Sequence, residues 1–149
     1  MIDLSDAKEL YKQTERRLFA YNDIKAKLEN DIKDIEDLKK EGITGRSRDI
    51  IYRAVSGGVR LSPDELQQIK IDAITEQVQD GRRELSRLDD VLLAIDDDDY
   101  GKIIRMKFIE RKRDEYIAEI MNCDTSTIRR HRSRLVKRIA VRLYGAAAV

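Results

Sequence analysis

One stripe of apolar residues constrains the fold of this chain more than any other feature. It lies between residues 71 and 95 and consists of Ile71, Ile74, Val78, Gly81, Leu85, Leu88, Leu92 and Ile95. Steps of three and four residues place all eight positions on one narrow face of an α-helix. Such a face is stable in water only when another helix covers it. The chain must therefore form a long helix that has a helical partner.

A second stripe near the start of the chain supplies a candidate partner. Its members are Leu4, Ala7, Tyr11, Thr14, Leu18, Tyr21, Leu28, Ile32 and Ile35. We expect one long helix here, with Ser5 as its N-cap and Gly42 as its stop. The later helix is expected to begin at Ser62-Pro63-Asp64-Glu65, a capping box with proline in the first helical position. The two helices can form an antiparallel hairpin within one chain or pair between two chains as a homodimer, and the stripes alone do not choose.

The connector between these helices, residues 42–61, is locally basic. Its arginines are Arg46, Arg48, Arg53 and Arg60. The segment Asp49–Val55 fits either a short strand or a helical turn. We interpret the connector as a solvated loop tip, with a second nucleic-acid contact as the alternative.

A run of four aspartates, Asp96–Asp99, separates the long helices from the rest of the chain. Four consecutive carboxylates do not converge on one cation, because the oxygen ligands of a calcium loop are spaced along the chain. Carboxylates at the start of a helix instead bind its free N–H groups and favour its dipole. We therefore predict a helix cap here and no metal site.

The charge of the chain is divided unevenly. Residues 101–149 carry thirteen Lys and Arg against five Asp and Glu, a formal charge of +8, whereas the first hundred residues carry −7. A basic segment attached to an acidic body suggests a polyanionic partner for that segment. No apolar run approaches the ~18–20 residues that a membrane span needs, and the start MIDLSDAKEL lacks the features of a signal peptide. We therefore expect a cytoplasmic protein with no membrane contact.

The basic segment has the pattern of three short helices. The first covers Tyr100–Phe108, the second Asp114–Met121, and the third begins near Ser126 and ends near Leu143. A tight polar turn, in which Asn122 takes a positive φ, joins the second helix to the third. Helix, short turn and helix at this spacing predict a helix-turn-helix.

The predicted third helix carries the candidate DNA contacts. An α-helix fits the major groove of DNA, and the residues near its N-terminus reach the base edges. The predicted base-reading residues are Thr125, Ser126, Arg129 and Arg130. The predicted phosphate-binding residues are Arg113, Arg132, Ser133, Arg134, Lys137 and Arg138. We predict packing roles for His131 and for the lone Cys123, which has no neighbours at metal-ligand spacing.

A resemblance adds to this interpretation. The stretch Ile117–Arg130 resembles the helix-turn-helix in the fourth conserved region of bacterial sigma factors, and Tyr100–Phe108 resembles the helix that precedes it there. Asn122 stands where that motif usually has glycine, and His131 where it usually has an aliphatic residue. A chain of this length with long helices before such a domain is similar to the RinA/ArpU-type transcriptional activators of phages and prophages. The resemblance implies that the promoter-reading positions are the four base-reading residues named above.

The sequence thus predicts an all-α protein. Residues 1–95 are expected to form a long two-helix coiled-coil module, and residues 96–149 a helix-turn-helix DNA-binding domain. The chain lacks a phosphate-binding loop and a nucleophile with an identifiable base, so we expect no enzymatic activity, cofactor or metal. The expected function is sequence-specific transcription activation on double-stranded DNA, with RNA polymerase as a partner. The alternatives are a DNA-packaging protein similar to a small terminase subunit, and a coiled-coil adaptor that binds an acidic protein.

Overall fold

A computed structural model describes residues 4–41 and 61–149, and every regular element in these two ranges is helical. The all-α prediction is confirmed. The predicted stop at Gly42 and the conformation of the connector up to residue 60 lie outside the described residues. The elements are α1 (Leu4–Phe19), α2 (Tyr21–Glu41), α3 (Pro63–Ile95), α4 (Lys102–Ile104), a π-helix (Arg105–Ile109), α5 (Asp114–Met121), α6 (Thr125–Tyr144) and a final 3₁₀ turn (Gly145–Ala148).

The single helix predicted at the start of the chain is wrong in one detail, because Ala20 separates α1 from α2. Side chains beside this break bind a segment far along the chain. The Asn22 amide donates to the carbonyl of Ile109 at 2.7 Å, and Arg111 donates to the carbonyl of Phe19 at 2.8 Å. Ser5 is also not the residue before the helix, since α1 begins at Leu4 and Ser5 lies in its first turn.

The start of α3 confirms the predicted capping box. The hydroxyl of Ser62 accepts a hydrogen bond from the N–H of Glu65 at 3.2 Å, and the Glu65 carboxylate accepts one from the N–H of Ser62 at 3.2 Å. Pro63 is the first helical residue. Both N–H groups would otherwise lack partners at a helix N-terminus, which explains why this motif begins a helix.

The chain divides into two compact units. One consists of Met1–Asp23 together with Glu84–Val149, and the other of Ile24–Arg83. This division differs from the predicted boundary between residues 95 and 96, because α1 and the end of α3 belong with the basic C-terminal segment.

Within the unit Ile24–Arg83, α2 and α3 contact each other in antiparallel order. Gln67 donates to the carbonyl of Leu38, and Lys27 donates to the side chain of Gln77 at 3.2 Å. Gly81, the weak position of the apolar stripe, faces Leu28, and a Cβ added there would lie 3.8 Å from its Cδ1. As residue numbers fall along α2, those of the partners on α3 rise, so this part of the two stripes packs within one chain.

The other unit has two apolar clusters. The first joins α1, α3, the π-helix and α6 through buried residues that include Leu18, Leu88, Phe108 and Leu135. Phe19 adds an edge-on contact to Phe108, with ring centroids 4.6 Å apart. Each such side chain stabilises the fold by about 1.5–3 kcal/mol when it leaves water.

The second cluster connects the short helices of the basic segment. It contains Ile103, Met106, Ile117, Ala118 and Ile128, all of which are buried. Ala118 lies on α5 and Ile128 on α6, so the two helices share this cluster. The cluster therefore fixes α5 against α6, which positions the candidate site.

Candidate nucleic-acid interface

The turn between α5 and α6 has the predicted conformation. Asn122 adopts the left-handed region with φ of 55°. The next N–H, that of Cys123, donates to the carbonyl of Ala118 at 3.0 Å, so the last turn of α5 is closed by the turn residues. Cys123 is half-buried beside the second apolar cluster, in agreement with its predicted packing role.

Asp124 caps the start of α6, a role that the sequence analysis did not assign. Its carboxylate accepts hydrogen bonds from the N–H of Thr127 at 2.8 Å and from the hydroxyl of Ser126 at 2.9 Å. Hydrogen bonding by Thr127 and Ser126 lowers the pKa of Asp124 to about 2. The sequence does contain this signal, because aspartate is a preferred N-cap residue and Asp124 lies directly before the helix.

The predicted base-reading residues occupy the first two turns of α6. Ser126, Arg129 and Arg130 are exposed, and Thr125 is half-buried. Arg130 forms no ion pair with any charged group in the two described ranges. The structure thus brings these side chains together at the N-terminal end of one helix, above the buried Ile128.

Asp114, the first residue of α5, is buried and binds three cations. Lys107 Nζ lies 3.2 Å from its Oδ1, Arg129 Nε lies 3.2 Å from its Oδ2, and Arg132 also binds Oδ1. Burial raises the pKa of Asp114, but the hydrogen bonds from Arg132 and Arg129 outweigh burial, so the pKa is lowered. A carboxylate that stays charged and binds three cations at once holds those three side chains in place.

Asp98 forms a second cluster with α6. It binds Arg134 through two hydrogen bonds of 2.9 and 3.0 Å, and Arg138 lies 3.4 Å away. The hydrogen bonds from Arg134, with a further one from the N–H of Tyr100, lower the pKa of Asp98 to about 2.

The predicted helix cap at Asp96–Asp99 is therefore wrong. The residue before α4 is Gly101, and no side chain caps that helix. Asp98 closes a turn by accepting from the N–H of Tyr100 at 2.9 Å, and Asp96 binds Arg105 through bonds of 2.8 and 2.9 Å. The carboxylates bind arginines rather than helix N–H groups, since a short helix offers little dipole while guanidinium groups offer full charges. No group of three or more metal-binding side chains occurs among the residues with described positions.

His131 packs as predicted. Its ring is half-buried and stacks on Tyr100, with centroids 3.5 Å apart and planes 6° from parallel. Burial lowers the pKa of His131, and the positive charges of Arg134 and Arg130 lower it further against the opposing effect of Asp98. The flat contact with Tyr100 gives the His131 ring an aromatic packing partner.

The predicted phosphate-binding residues differ in their surroundings. Arg113 and Lys137 are exposed and form no ion pair within the described parts of the chain, while Ser133 is half-buried. Arg134 and Arg138 are about half exposed, at 42% and 45% of their side chains, although they bind Asp98. Arg132 is different, because its side chain is only 18% exposed and points to Asp114. This placement speaks against the prediction that Arg132 binds phosphate.

Comparison with known proteins does not assign this chain to a family. No family model, no curated protein and no solved structure matches this chain. The described helices include none that is long and apolar enough to cross a membrane. The resemblance to sigma factors and phage activators stays a prediction.

Proposed function

We propose that this protein is a sequence-specific transcriptional regulator that binds double-stranded DNA through α6. The observation that carries the proposal is the exposed, basic N-terminal part of this helix, held by a buried cluster against α5. An α-helix enters the major groove, where arginine side chains bind guanine through two parallel hydrogen bonds. Ser126, Arg129 and Arg130 are placed to read bases in such a complex, with Thr125 beside them.

The proposed phosphate contacts follow from exposure. Arg113 and Lys137 are open to solvent, and Arg134 and Arg138 expose nearly half of their side chains, which supports a role in binding phosphate. Arg132 is excluded from the proposed set, because moving it to DNA would leave the buried Asp114 with less compensation.

The resemblance to RinA/ArpU-type proteins supports a narrower proposal. The protein would act as a phage or prophage activator in the bacterial cytoplasm and would assist host RNA polymerase.

The first test is binding of the full chain to random-sequence duplex DNA, measured by fluorescence anisotropy from roughly 50 to 300 mM salt. We expect affinity to fall steeply, with a log–log slope near −0.9 for each phosphate contacted. Site selection from a random library then defines the preferred sequence. If no duplex binds at the lowest salt, the basic surface serves another partner and the proposal is wrong.

The variant Arg130→Ala tests the reading face. We expect it to weaken binding to the selected site by about tenfold or more, because one arginine–guanine contact discriminates by ~1–3 kcal/mol. Arg82→Ala is the matched control, since Arg82 is exposed on a helix of the other unit and its loss changes the net charge equally. Equal effects of the two substitutions would contradict the assigned face.

A further inference from the structure

The contact between Arg129 and Asp114 combines an exposed cation with a buried anion. Arg129 donates from Nε to Oδ2 of Asp114 at 3.2 Å, yet 60% of the Arg129 side chain is exposed. A guanidinium group has five N–H donors in a rigid plane. Binding through Nε fixes that plane while the four hydrogens on the two Nη atoms remain for another ligand.

Asp114 is suited to hold Arg129 in one direction. Its side chain is only 11% exposed, and Lys107 and Arg132 bind it at the same time. The carboxylate therefore stays charged and has little freedom to move. An arginine that is already held by another group loses less rotamer entropy when it binds a ligand than a free arginine does.

The ligand that best fits an oriented pair of Nη groups is a guanine base. Guanine presents O6 and N7 as two acceptors side by side in the major groove, and a guanidinium edge binds both. A phosphate can also bind arginine through two hydrogen bonds, but it binds lysine as a point charge as well, so it does not require an oriented guanidinium group. Arg129 lies near the start of α6, where a recognition helix contacts bases.

We infer that Asp114 is a positioning residue for sequence recognition, and that it presents Arg129 to one guanine of the binding site. This inference rests on the proposed function. Under this inference the guanine preference depends on a buried carboxylate of α5 as well as on the side chains of α6. It also predicts that lysine cannot replace Arg129 in recognition, although it keeps the charge.

The experiment is site selection from a random duplex library with the full-length protein and three variants. Wild type should select guanine at one position that Arg129→Lys no longer selects. Asp114→Asn, which retains the side-chain shape and loses the charge, should reduce that guanine preference at least fivefold. Binding of each variant to random duplex is measured alongside, so that the loss of guanine preference is expressed relative to that variant's non-specific affinity.

Lys107→Gln is the matched control, since it disturbs the same cluster without touching Arg129. It should keep the guanine preference within twofold of wild type. Circular dichroism establishes that each variant is folded at the temperature used. If Asp114→Asn alone does not fold, the double variant Asp114→Asn/Lys107→Gln removes a cation together with the carboxylate, and Lys107→Gln remains its control.

The outcomes separate this inference from the proposed function. Wild type that binds no duplex overturns both. Wild type that selects a site while Arg129→Lys or Asp114→Asn keeps the full guanine preference overturns the inference alone. Equal loss of the preference in Lys107→Gln also overturns it, because the cluster would then act only through the fold.

Discussion

Two carboxylates bind arginines of the same helix, and those arginines differ in exposure. Asp114 binds Arg132, which is 18% exposed, together with Arg129, which is 60% exposed, whereas both arginines of Asp98 are about half exposed, at 42% for Arg134 and 45% for Arg138. An arginine side chain that is half exposed can exchange a carboxylate for a phosphate at little cost, whereas a covered one cannot. The comparison teaches that a run of basic residues on one helix is not one uniform surface. Which of these basic side chains can bind a phosphate depends on the carboxylates that neighbouring segments place beside them.

Asp114→Ala should have the largest effect on stability. It leaves Lys107 and Arg132 close together with no compensating charge, and breaking a buried ion pair costs about 3 kcal/mol. Urea denaturation of wild type and variant measures the loss in free energy of unfolding. Asp97→Ala is the control, because Asp97 is exposed and should change stability by less than about 0.5 kcal/mol. Similar losses in both variants would show that the Asp114 cluster is not a structural anchor.

Asp98→Asn should change DNA binding more than stability. Loss of the carboxylate releases Arg134 and Arg138, so binding to random duplex at low salt should tighten. The gain at a fixed low salt concentration should be severalfold, because Arg134 and Arg138 no longer give up a carboxylate when they bind phosphate. Asp97→Asn alters the net charge by the same amount and should tighten binding less. If the two variants tighten binding equally, Asp98 does not compete with phosphate for these arginines.

The Asp98 cluster also predicts a dependence on acid. The pKa of Asp98 is lowered from 3.8 to about 2 by its hydrogen bonds with Arg134 and Tyr100. A lowered pKa in the folded state adds stability that is present above pH ~4 and is lost as the pH falls through 2. Because the arginines are half exposed, we expect the contribution to be about 1 kcal/mol. Unfolding of wild type and Asp98→Asn across this range should show a difference that disappears near pH 2; a constant difference would contradict the ion pair.

Asn122→Gly should have the smallest effect, and in the opposite direction. Glycine adopts a positive φ without strain, so the substitution should stabilise the turn by roughly 0.5 kcal/mol after the greater entropy of unfolded glycine is subtracted. Asn30 is exposed within α2, and Asn30→Gly should instead destabilise by about 0.5 kcal/mol. Thermal unfolding of both variants tests the sign. Destabilisation by Asn122→Gly would mean that the asparagine side chain has a role beyond its backbone conformation.

Much of the local structure could be predicted from the sequence, because caps, turns and helical periods depend on neighbouring residues. The capping box at Ser62, the bounds of α5 and the left-handed Asn122 belong to this group. The ion pairs of Asp114 and Asp98 could not be predicted. Their arginine partners lie 15 to 40 residues away, and only tertiary packing brings such positions together.

The sequence analysis did not predict two further features, and the reason is related. They are the break at Ala20 and the grouping of α1 with α6 in one compact unit. The apolar period continues through Ala20, so the pattern contains no stop there. The groups that bind the chain beside the break, the Ile109 carbonyl and Arg111, are about ninety residues away. Periodicity reports that a face needs a partner, and it does not identify the partner.

The packing of α1 against α6 has a consequence for synthesis. Leu18 leaves the ribosome before Leu135, which belongs to the same buried cluster and follows after 117 further residues. At about 5–20 residues per second, the apolar face of α1 waits on the order of ten seconds for the helix that covers it. During translation this face is exposed to chaperones and to other nascent chains. The unit that contains the proposed DNA-binding helix can close only after that helix has emerged.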